Sequence, residues 1–456
     1  MSGNTRQTPA RLSPAKTLAL GFLAIILSGS LLLKLPIAAE PGVRITWLQA
    51  LFTATSAVCV TGLVVVDTAS SYSLFGELVI LSLIQLGGLG FMLFATSLLV
   101  LARRRISLRN RILLHETMSM PGLSGVVRTT LRFMLVVFAV EITGAALLSL
   151  RFIPLYGWKT GLYYGVFHAI SAFCNAGFDL FGAAGSLTQF HSDALVLLTI
   201  SGLIIIGGMG FAVVVDLLAN RLGFRKLHLH SKIVVVMTLG LLLFGALGIA
   251  ALEWRNPGTL AFEGARPGDK LLNAWFQSVT ARTAGFNALP QNSLREASKV
   301  LTSALMFIGA SPASTGGGIK TTTLFVLLVL VRSVFVGRSD VNAFRRRLPL
   351  MLIRTALSIF LISLVLLVGG AMLMSALEEG KGISMLDLVY EQVSALATVG
   401  LSSAGTGGLS RPTQVWLVLL MYFGRVGPLT MMLSFSKAGE HQSQGVRYAE
   451  EQIYVG

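Results

Sequence analysis

Charged residues are scarce in this sequence of 456 residues: Asp, Glu, Lys and Arg make up 12% of it, against roughly 25% in soluble domains. Hydrophobic residues make up 54%, and the mean hydropathy is +0.76. This composition excludes a soluble globular domain and predicts an integral membrane protein. Cysteine is also scarce, since only Cys59 and Cys174 occur, and no disulfide framework can be inferred from them. The apolar segments lack a convergent His, Cys and Glu set, which argues against an enzyme.

Apolar runs, in contrast, are long and numerous. Eight of them are near the ~20 residues needed to cross a bilayer, and they lie at about 18–37, 78–102, 133–150, 195–218, 233–252, 301–331, 350–377 and 415–435. The first run follows three basic residues as a signal peptide does, but no small-residue cleavage site follows it. The sequence therefore predicts an all-α polytopic protein with eight full transmembrane helices.

The net charge of +16 is distributed unevenly over the loops between these runs. Of the 36 Lys and Arg residues, 22 fall on the loops of one side and 11 on those of the other. The remaining three, Arg282, Lys320 and Arg425, fall at membrane depth. Because basic loops stay in the cytoplasm, both termini are predicted to be cytoplasmic. Topology and anionic lipid in the bilayer explain the basic patches, and nucleic acid is not needed as a partner.

A short pattern occurs four times along the chain: an aromatic residue, three further residues, Ser or Thr, and Ala. The four copies begin at Phe52, Phe167, Phe276 and Tyr390. Each copy is followed by a glycine, at Gly62, Gly177, Gly285 and Gly400. These glycines are 115, 108 and 115 residues apart, and the third copy is one residue shorter between its Ala and its Gly. We interpret the copies as an internal repeat.

The apolar span behind each motif glycine contains further glycines. Gly87, Gly88, Gly207, Gly208, Gly424 and Gly427 lie in three of these spans. For the first four, close helix packing is an alternative to a role in function. The third repeat instead contains the run 309–320, which has four glycines and a proline and is expected to break the helix. The predicted units are a tail over 1–15, repeats over 16–110, 111–226, 227–340 and 341–440, and a tail over 441–456.

The segment that carries each motif is too short to cross a bilayer. In the first repeat it covers residues 47–58, and a helix of that length spans about 18 Å of a hydrocarbon core of about 30 Å. A half-helix followed by an extended run is a re-entrant loop, whose backbone must face protein or a water-filled cavity. Each repeat has two full crossings, so all four share one orientation. The sequence predicts four parallel repeats around a pseudo-four-fold central pore, unlike inverted-repeat transporters.

Such a pore favours a cation. Extended segments at its narrowest level can turn backbone carbonyls inward and replace the hydration shell of an ion. Glycine permits backbone conformations that a Cβ forbids and lets the chain approach a ligand closely. The carbonyl ends of the half-helices carry partial negative charge. We therefore expect each motif glycine to lie in one quarter of a selectivity filter.

These motifs resemble those of the Trk/Ktr/HKT superfamily of potassium transporters, most closely the membrane subunit (KtrB) of bacterial Ktr systems. The resemblance covers about residue 15 to the C-terminus, and its specific elements are the runs 56–63, 175–178, 280–287, 398–402 and 312–320, with Arg425. It implies a channel-like K⁺ transporter of the bacterial inner membrane, often Na⁺-stimulated, that works as a homodimer with one pore per subunit. It also implies gating by a cytoplasmic KtrA-like nucleotide-binding ring. Nucleotide is then expected on that partner only, and no cofactor is bound covalently.

The resemblance also assigns roles to residues at matching positions. The K⁺ filter would use the carbonyls just before each glycine, at Val60, Thr61, Gly62, Asn175, Ala176, Gly177, Thr283, Ala284, Gly285, Thr398, Val399 and Gly400. An intramembrane gate would comprise Gly316, Gly317, Gly318, Lys320 and Arg425. Cys59 departs from the hydroxyl or aliphatic residue expected in a filter strand, and Cys174 is its equivalent. A thiol there is tolerated if only the backbone contacts the ion.

Several polar residues remain open to two interpretations. Asp67, Asp179 and Asn287 follow their motif glycines and either line an outer vestibule or cap local structure. Arg282 is expected to brace its loop by donating to carbonyls. Lys320 ends a glycine run, but Ile319 separates it from the last glycine, so the run does not match a phosphate-binding loop. Glu141 lies within a span and has too many possible neighbours to assign.

Two further polar features bear on function. His168 occupies the position that holds Thr53, Gln277 and Glu391 in the other copies, and this favours hydrogen bonds over a metal site. The competing function is a Na⁺-coupled secondary transporter of a small solute that uses broken helices. A purely structural membrane scaffold gives no reason for four matched loops.

Overall fold

The computed structural model describes residues 14–90, 126–182, 185–221, 223–337, 340–344 and 346–427. These ranges contain fifteen α-helices. In chain order they are α1 Pro14–Leu33, α2 Trp47–Val58, α3 Thr68–Ser71, α4 Leu74–Leu89, α5 Val126–Tyr156, α6 Trp158–Phe173, α7 Ala194–Gly208, α8 Phe211–Ala219, α9 Leu229–Glu253, α10 Pro267–Thr280, α11 Glu296–Phe307, α12 Thr321–Phe335, α13 Leu350–Leu377, α14 Met385–Leu396 and α15 Arg411–Val426. The 3₁₀ turns are Pro36–Ala38, Thr188–Phe190, Phe224–Lys226, Gln291–Ser293 and Thr406–Gly408. A two-stranded antiparallel hairpin, β1 Asn342–Ala343 and β2 Arg346–Arg347, lies between α12 and α13.

Within the described ranges, four helices, one at the start of each repeat, are long and apolar enough to cross a membrane unaided. They include the windows Lys16–Leu33, Phe133–Tyr156, Leu229–Glu253 and Leu350–Leu377. Their outward faces carry exposed apolar side chains, such as Leu135 and Val365, each 71% exposed. Such a surface is suited to lipid rather than to water.

The half-helices α2, α6, α10 and α14 carry the motif copies and have 12 to 16 residues. Helix α2 begins with a capping box, in which the Thr46 side chain accepts from the Gln49 amide and the Gln49 side chain accepts from the Thr46 amide. Each half-helix ends just before its motif glycine and lies in the buried centre of the molecule. The predicted segment 47–58 corresponds to α2.

Within the described residues, each second span reaches either a left-handed glycine or a loop. Gly90 directly follows the last residue of α4, and Gly427 directly follows the last residue of α15. Their φ angles are 79° and 92°. Helices α7 and α8 meet at a bend of 100° at Met209 and Gly210, so the apolar run 195–218 forms two helices and not the single full transmembrane helix that was expected. Helices α11 and α12 are separated by the loop 308–320, as the glycine and proline content indicates.

The break between α7 and α8 has a physical cause. Gly210 has a φ of 92°, which a residue with a Cβ rarely adopts. The freed amide of Phe211 donates to the carbonyl of Ala313 at 2.8 Å, so the broken helix is satisfied by another repeat. The predicted spans 78–102 and 415–435 are described only as far as Gly90 and Gly427. Of the predicted tails 1–15 and 441–456, only Pro14 and Ala15 are described.

Candidate functional site

The four glycine strands, each comprising a motif glycine and the two residues before it, share one backbone conformation. The residue two places before each glycine has a positive φ: Val60 48°, Asn175 58°, Thr283 67° and Thr398 52°. The glycines follow with φ of 90°, 67°, 83° and 97°. Three of the four non-glycine residues are β-branched, and these rarely adopt a left-handed conformation. Each costs about 1–3 kcal/mol, so the surroundings must enforce it.

The glycine strands meet one another in a closed cyclic order. A Cβ built on Gly62 would lie 2.5 Å from the carbonyl oxygen of Ala176, the residue before Gly177. A Cβ on Gly177 would lie 2.5 Å from that of Ala284, and one on Gly285 would lie 2.6 Å from that of Val399. Gly400 closes the ring, because its Cβ would meet the carbonyl oxygen of Thr61 at still closer range. Glycine is therefore required at all four positions on steric grounds.

The Ser or Thr of each motif copy holds the strand that follows it. Ser56 Oγ accepts from the Gly62 amide, and Ser394 Oγ accepts from the Gly400 amide, both at 3.0 Å. In the other two copies the hydroxyl donates to the carbonyl one residue after the glycine. Those bonds run from Ser171 to Phe178 and from Thr280 to Phe286, each at 2.7 Å. We call these four residues the hydroxyl anchors.

The missing residue of the third copy is absorbed where its half-helix ends. In three copies the backbone amide of the residue before the glycine donates to the backbone carbonyl of the hydroxyl anchor, which lies five residues earlier. An example is the bond from the Thr61 amide to the Ser56 carbonyl, at 2.8 Å. In the third copy Ala284 bonds Thr280, four residues back, at 3.0 Å. The same contact is kept with one residue fewer, so the ring accommodates the shorter copy.

Glycines of the second spans pack directly on the half-helices. A Cβ on Gly87, Gly207 or Gly424 would collide with the carbonyl oxygen of the last residue in the half-helix of its own repeat. Those residues are Val58, Phe173 and Leu396. For Gly87 and Gly207, the structure shows the close packing that was one of the two interpretations of the sequence. Gly88 faces Cys174, which precedes the second glycine strand, and Gly208 faces Asn175 of that strand.

The loop between α11 and α12 folds beneath the third and fourth glycine strands. A Cβ on Gly316 would collide with the Thr283 hydroxyl, and one on Gly317 would collide with the Thr398 hydroxyl. The loop amides of Ser311 and Thr315 donate to the carbonyls of Gly208 and Gly207, at 3.1 and 3.3 Å. The loop therefore fills the break between α7 and α8 while it contacts the ring. Gly318 also belongs to the loop and has a φ of 71°.

Two of the basic residues at membrane depth bind this loop. Lys320 Nζ donates to the Gly316 carbonyl at 2.7 Å and therefore holds the loop to itself. Arg425 donates to the carbonyls of Thr315 in the loop and of Gly87 at the end of α4. The guanidinium thus bridges the third repeat and the first from a helix of the fourth.

The third such residue, Arg282, extends from the third glycine strand to the start of the loop. Its Nη2 donates to the Gly309 carbonyl at 3.0 Å, which confirms the expectation that it braces backbone. The side chain is only 6% exposed. Among the described atoms its Nε and Nη1 have no hydrogen-bond acceptor.

The acidic residues beyond the first two glycine strands act as local caps. Asp67 accepts from the amide and the hydroxyl of Ser70, at 2.8 and 2.6 Å. Asp179 accepts from the Phe181 amide at 3.1 Å. Burial, with a contribution from the charge of Asp67, raises the pKa of Asp179 to about 6. Both carboxylates thus bind local backbone amides, and the effect of Asp67 on the pKa of Asp179 shows that the two side chains of the first and second repeats lie near each other.

A series of side-chain hydrogen bonds links Glu141 to Cys174, the residue before the second glycine strand. Gln85 Nε2 donates to the Glu141 carboxylate oxygens at 3.1 and 3.2 Å. Cys174 Sγ donates to Gln85 Oε1 at 3.4 Å. The sequence could not identify this contact, because Gln85 and Glu141 are 56 residues apart in different repeats. Within the described ranges, three or more His, Cys, Asp and Glu side chains do not come together as a metal site.

The chain is similar in sequence to known proteins over most of its length. Residues 10–444 match the family model described as "TrkH: Cation transport protein". The chain is 40% identical to the Ktr system potassium uptake protein B of Bacillus subtilis (strain 168) over 98% of this chain and 97% of that protein. It is 38% identical to the potassium/sodium uptake protein NtpJ of Enterococcus hirae, with 98% of each chain covered.

A solved structure shares the fold. The crystal structure of the potassium transporter TrkH from Vibrio parahaemolyticus matches with a TM-score of 0.72 at 18% sequence identity. The match covers 95% of this chain and 87% of that one. At this identity the likeness establishes the helical architecture.

Proposed function

Because the chain belongs to the TrkH family of cation transport proteins, we propose that it mediates potassium uptake through a channel-like pore. The proposed selectivity filter is the ring of four glycine strands. Potassium uptake agrees with the names of relatives described as potassium uptake proteins. The protein is proposed to lie in the bacterial inner membrane with both termini in the cytoplasm.

The closed cyclic order of the glycine strands is the observation that supports the filter. A left-handed residue in an extended strand rotates the adjoining peptide plane, so that successive carbonyls can face the same side. Four strands with this conformation, each contacting the carbonyl that precedes the next glycine, are suited to surround one ion. Carbonyl rings of this kind replace the water around a bare alkali cation.

The order of contacts also bears on the alternative. Each repeat contacts the next in the same direction, from first to fourth and back to the first. Rotation about one axis produces this order, whereas an inverted-repeat carrier relates its halves by an axis in the membrane plane. The contacts between repeats in the described ranges therefore do not support the Na⁺-coupled secondary transporter with broken helices.

We propose further that the loop 309–320 is a gate controlled by a partner. It contacts the filter hydroxyls of Thr283 and Thr398 and is held by Lys320 and Arg425. A positive charge in the conduction path repels cations, so moving Arg425 with the loop would open the path. The proposed partner is a cytoplasmic KtrA-like nucleotide-binding ring, and the proposed assembly is a homodimer with one pore per subunit. Stimulation by Na⁺ belongs to the same proposal.

Ion flux into proteoliposomes that contain the purified protein tests this function. We expect K⁺ and Rb⁺ to enter faster than Na⁺, at rates above those of a carrier cycle. Addition of the nucleotide-binding partner is expected to change the rate without changing the order of ions. Flux that requires a second solute, or that is equal for all three cations, would overturn the proposal.

A further inference from the structure

Each half-helix has one buried polar side chain directly after the aromatic residue of its motif. These post-aromatic residues are Thr53, His168, Gln277 and Glu391, and each is at most 1% exposed. They represent four different functional groups at one repeated position: a hydroxyl, an imidazole, an amide and a carboxyl. Polar groups at this depth are unfavourable unless they are hydrogen-bonded.

Every post-aromatic residue bonds the segment that follows its own motif glycine. Thr53 Oγ1 accepts from the Tyr72 hydroxyl at 3.1 Å. His168 Nε2 lies 3.3 Å from the Leu180 amide, which can only donate. His168 Nδ1 lies 2.7 Å from a carbonyl oxygen, which can only accept. The imidazole is therefore the neutral Nδ1–H tautomer, and both of its nitrogens are occupied.

The third and fourth copies make denser contacts of the same kind. Gln277 and Gln291 exchange two amide hydrogen bonds, at 2.8 and 3.1 Å. The Tyr390 hydroxyl adds a bond to Gln291 at 2.8 Å and so connects the fourth motif to the third repeat. The Glu391 carboxylate accepts from the Thr406 hydroxyl at 2.9 Å, from the Ala404 amide at 3.2 Å and from the Ser402 hydroxyl.

We propose that the post-aromatic residues are positioning residues that set the ion selectivity of the ring. This inference rests on the proposed function, because it presumes that the ring is the filter. The hydroxyl anchors hold each strand at the glycine, and the post-aromatic residues hold the chain that leaves it. A strained strand keeps its shape only when both ends are fixed. A carbonyl displaced by a fraction of an ångström fits K⁺ and Na⁺ differently.

The four copies differ in the number of residues between the motif glycine and the first residue that the post-aromatic side chain bonds. The contacts begin two residues after Gly400, three after Gly177 and six after Gly285, but ten after Gly62. A short connection transmits a displacement to the glycine more directly than a long one does. Glu391 and His168 are therefore expected to affect selectivity more strongly than Gln277, and Thr53 least.

The most direct test of the positioning role is the variant Glu391→Leu, and Gln392→Leu at the neighbouring residue is its matched control. Gln392 is equally buried and is bonded as well, but to the Leu366 carbonyl and the Trp416 indole of the spans. In proteoliposomes we expect Glu391→Leu to lower the ratio of K⁺ to Na⁺ flux about three- to tenfold. Glu391→Gln, which keeps an acceptor oxygen, is expected to lie between it and the unaltered protein. Gln392→Leu is expected to lower thermal stability and to leave the ratio unchanged.

A milder pair of variants applies if Glu391→Leu does not fold. Tyr390→Phe removes one hydrogen bond to Gln291 and restores the phenylalanine of the other copies. Its control is Tyr163→Phe, which removes the bond from another half-helix to Glu77, away from the strands. We expect a measurable decrease in the flux ratio, of about twofold, for Tyr390→Phe and none for the control.

The outcomes separate this inference from the function on which it rests. Unaltered protein without selective K⁺ flux would overturn the proposed function. Selective flux in the unaltered protein, with the same ratio in folded Glu391→Leu or, where that variant does not fold, in both Glu391→Gln and Tyr390→Phe, would overturn only the positioning role. An equal fall in Glu391→Leu and Gln392→Leu would also overturn it, because the effect would then follow from lost packing.

Discussion

The four glycine strands and the four second spans behind them differ in how closely they match one another. All four strands have a left-handed residue two places before a left-handed glycine, and each contacts the next in one cyclic order. In the part of the chain that the structure describes, the second spans of three repeats reach a left-handed glycine, at Gly90, Gly210 and Gly427, whereas the second span of the third repeat is interrupted over 308–320. Ion coordination requires equivalent ligands, whereas control requires one repeat to differ. Symmetry is therefore kept at the ring and lost beneath it.

The largest expected effect comes from breaking the ring itself. Gly62→Ser places a Cβ 2.5 Å from the Ala176 carbonyl oxygen, so neighbouring carbonyls must move. We expect the K⁺ to Na⁺ flux ratio to fall about tenfold or more. Gly42→Ser is the matched control, because Gly42 has a similar φ of 87° and open space around its Cβ. An unchanged ratio in folded Gly62→Ser would contradict the filter assignment.

Beneath the ring, removal of the Arg425 bridge is expected to change the rate but not the selectivity. Arg425→Ala deletes hydrogen bonds to the carbonyls of Thr315 and Gly87 and releases the loop. Bonds to charged groups are among the stronger ones, so we expect K⁺ flux to rise about tenfold at an unchanged flux ratio. Arg411→Ala, at the exposed start of α15, serves as the control and should leave the rate unchanged. A reduced flux in the folded Arg425 variant would argue against the gate.

Packing behind the ring is expected to affect stability. Gly207→Ala drives a methyl group into the Phe173 carbonyl, and we expect about 1–3 kcal/mol of destabilisation. Gly202→Ala, in the same helix with nothing within 4 Å of its Cβ, should stabilise by up to about 1 kcal/mol. Thermal unfolding in detergent measures both. Equal midpoints for the two variants would show that Gly207 is not required for packing.

The smallest expected effect concerns a single hydroxyl anchor. Ser394→Ala leaves the Gly400 amide without its acceptor, and we expect the flux ratio to fall about threefold. Ser358→Ala removes a hydroxyl that bonds only the Arg354 carbonyl on an exposed helix face, and should have no effect. If both variants keep the full ratio, the hydroxyl anchors do not position the strands.

Local pattern was sufficient for the repeated part of the molecule and insufficient for the rest. The aromatic, hydroxyl and glycine positions could be read from the sequence because the same short-range requirement recurs four times. The bend at Gly210 could not, because the loop atoms that satisfy it lie about 100 residues away in another repeat. The partners of Arg425 and Glu141 were unpredictable for the same reason. Side chains at membrane depth have many possible neighbours until the repeats are assembled.

Diffraction from crystals soaked in Rb⁺ or Cs⁺, recorded at the absorption edge of the ion, tests the central claim most directly. The account predicts an anomalous peak on the axis of the ring, at coordination distance from the carbonyl oxygens of Thr61, Ala176, Ala284 and Val399. Peaks found only elsewhere, with the ring empty at a saturating ion concentration, would contradict it.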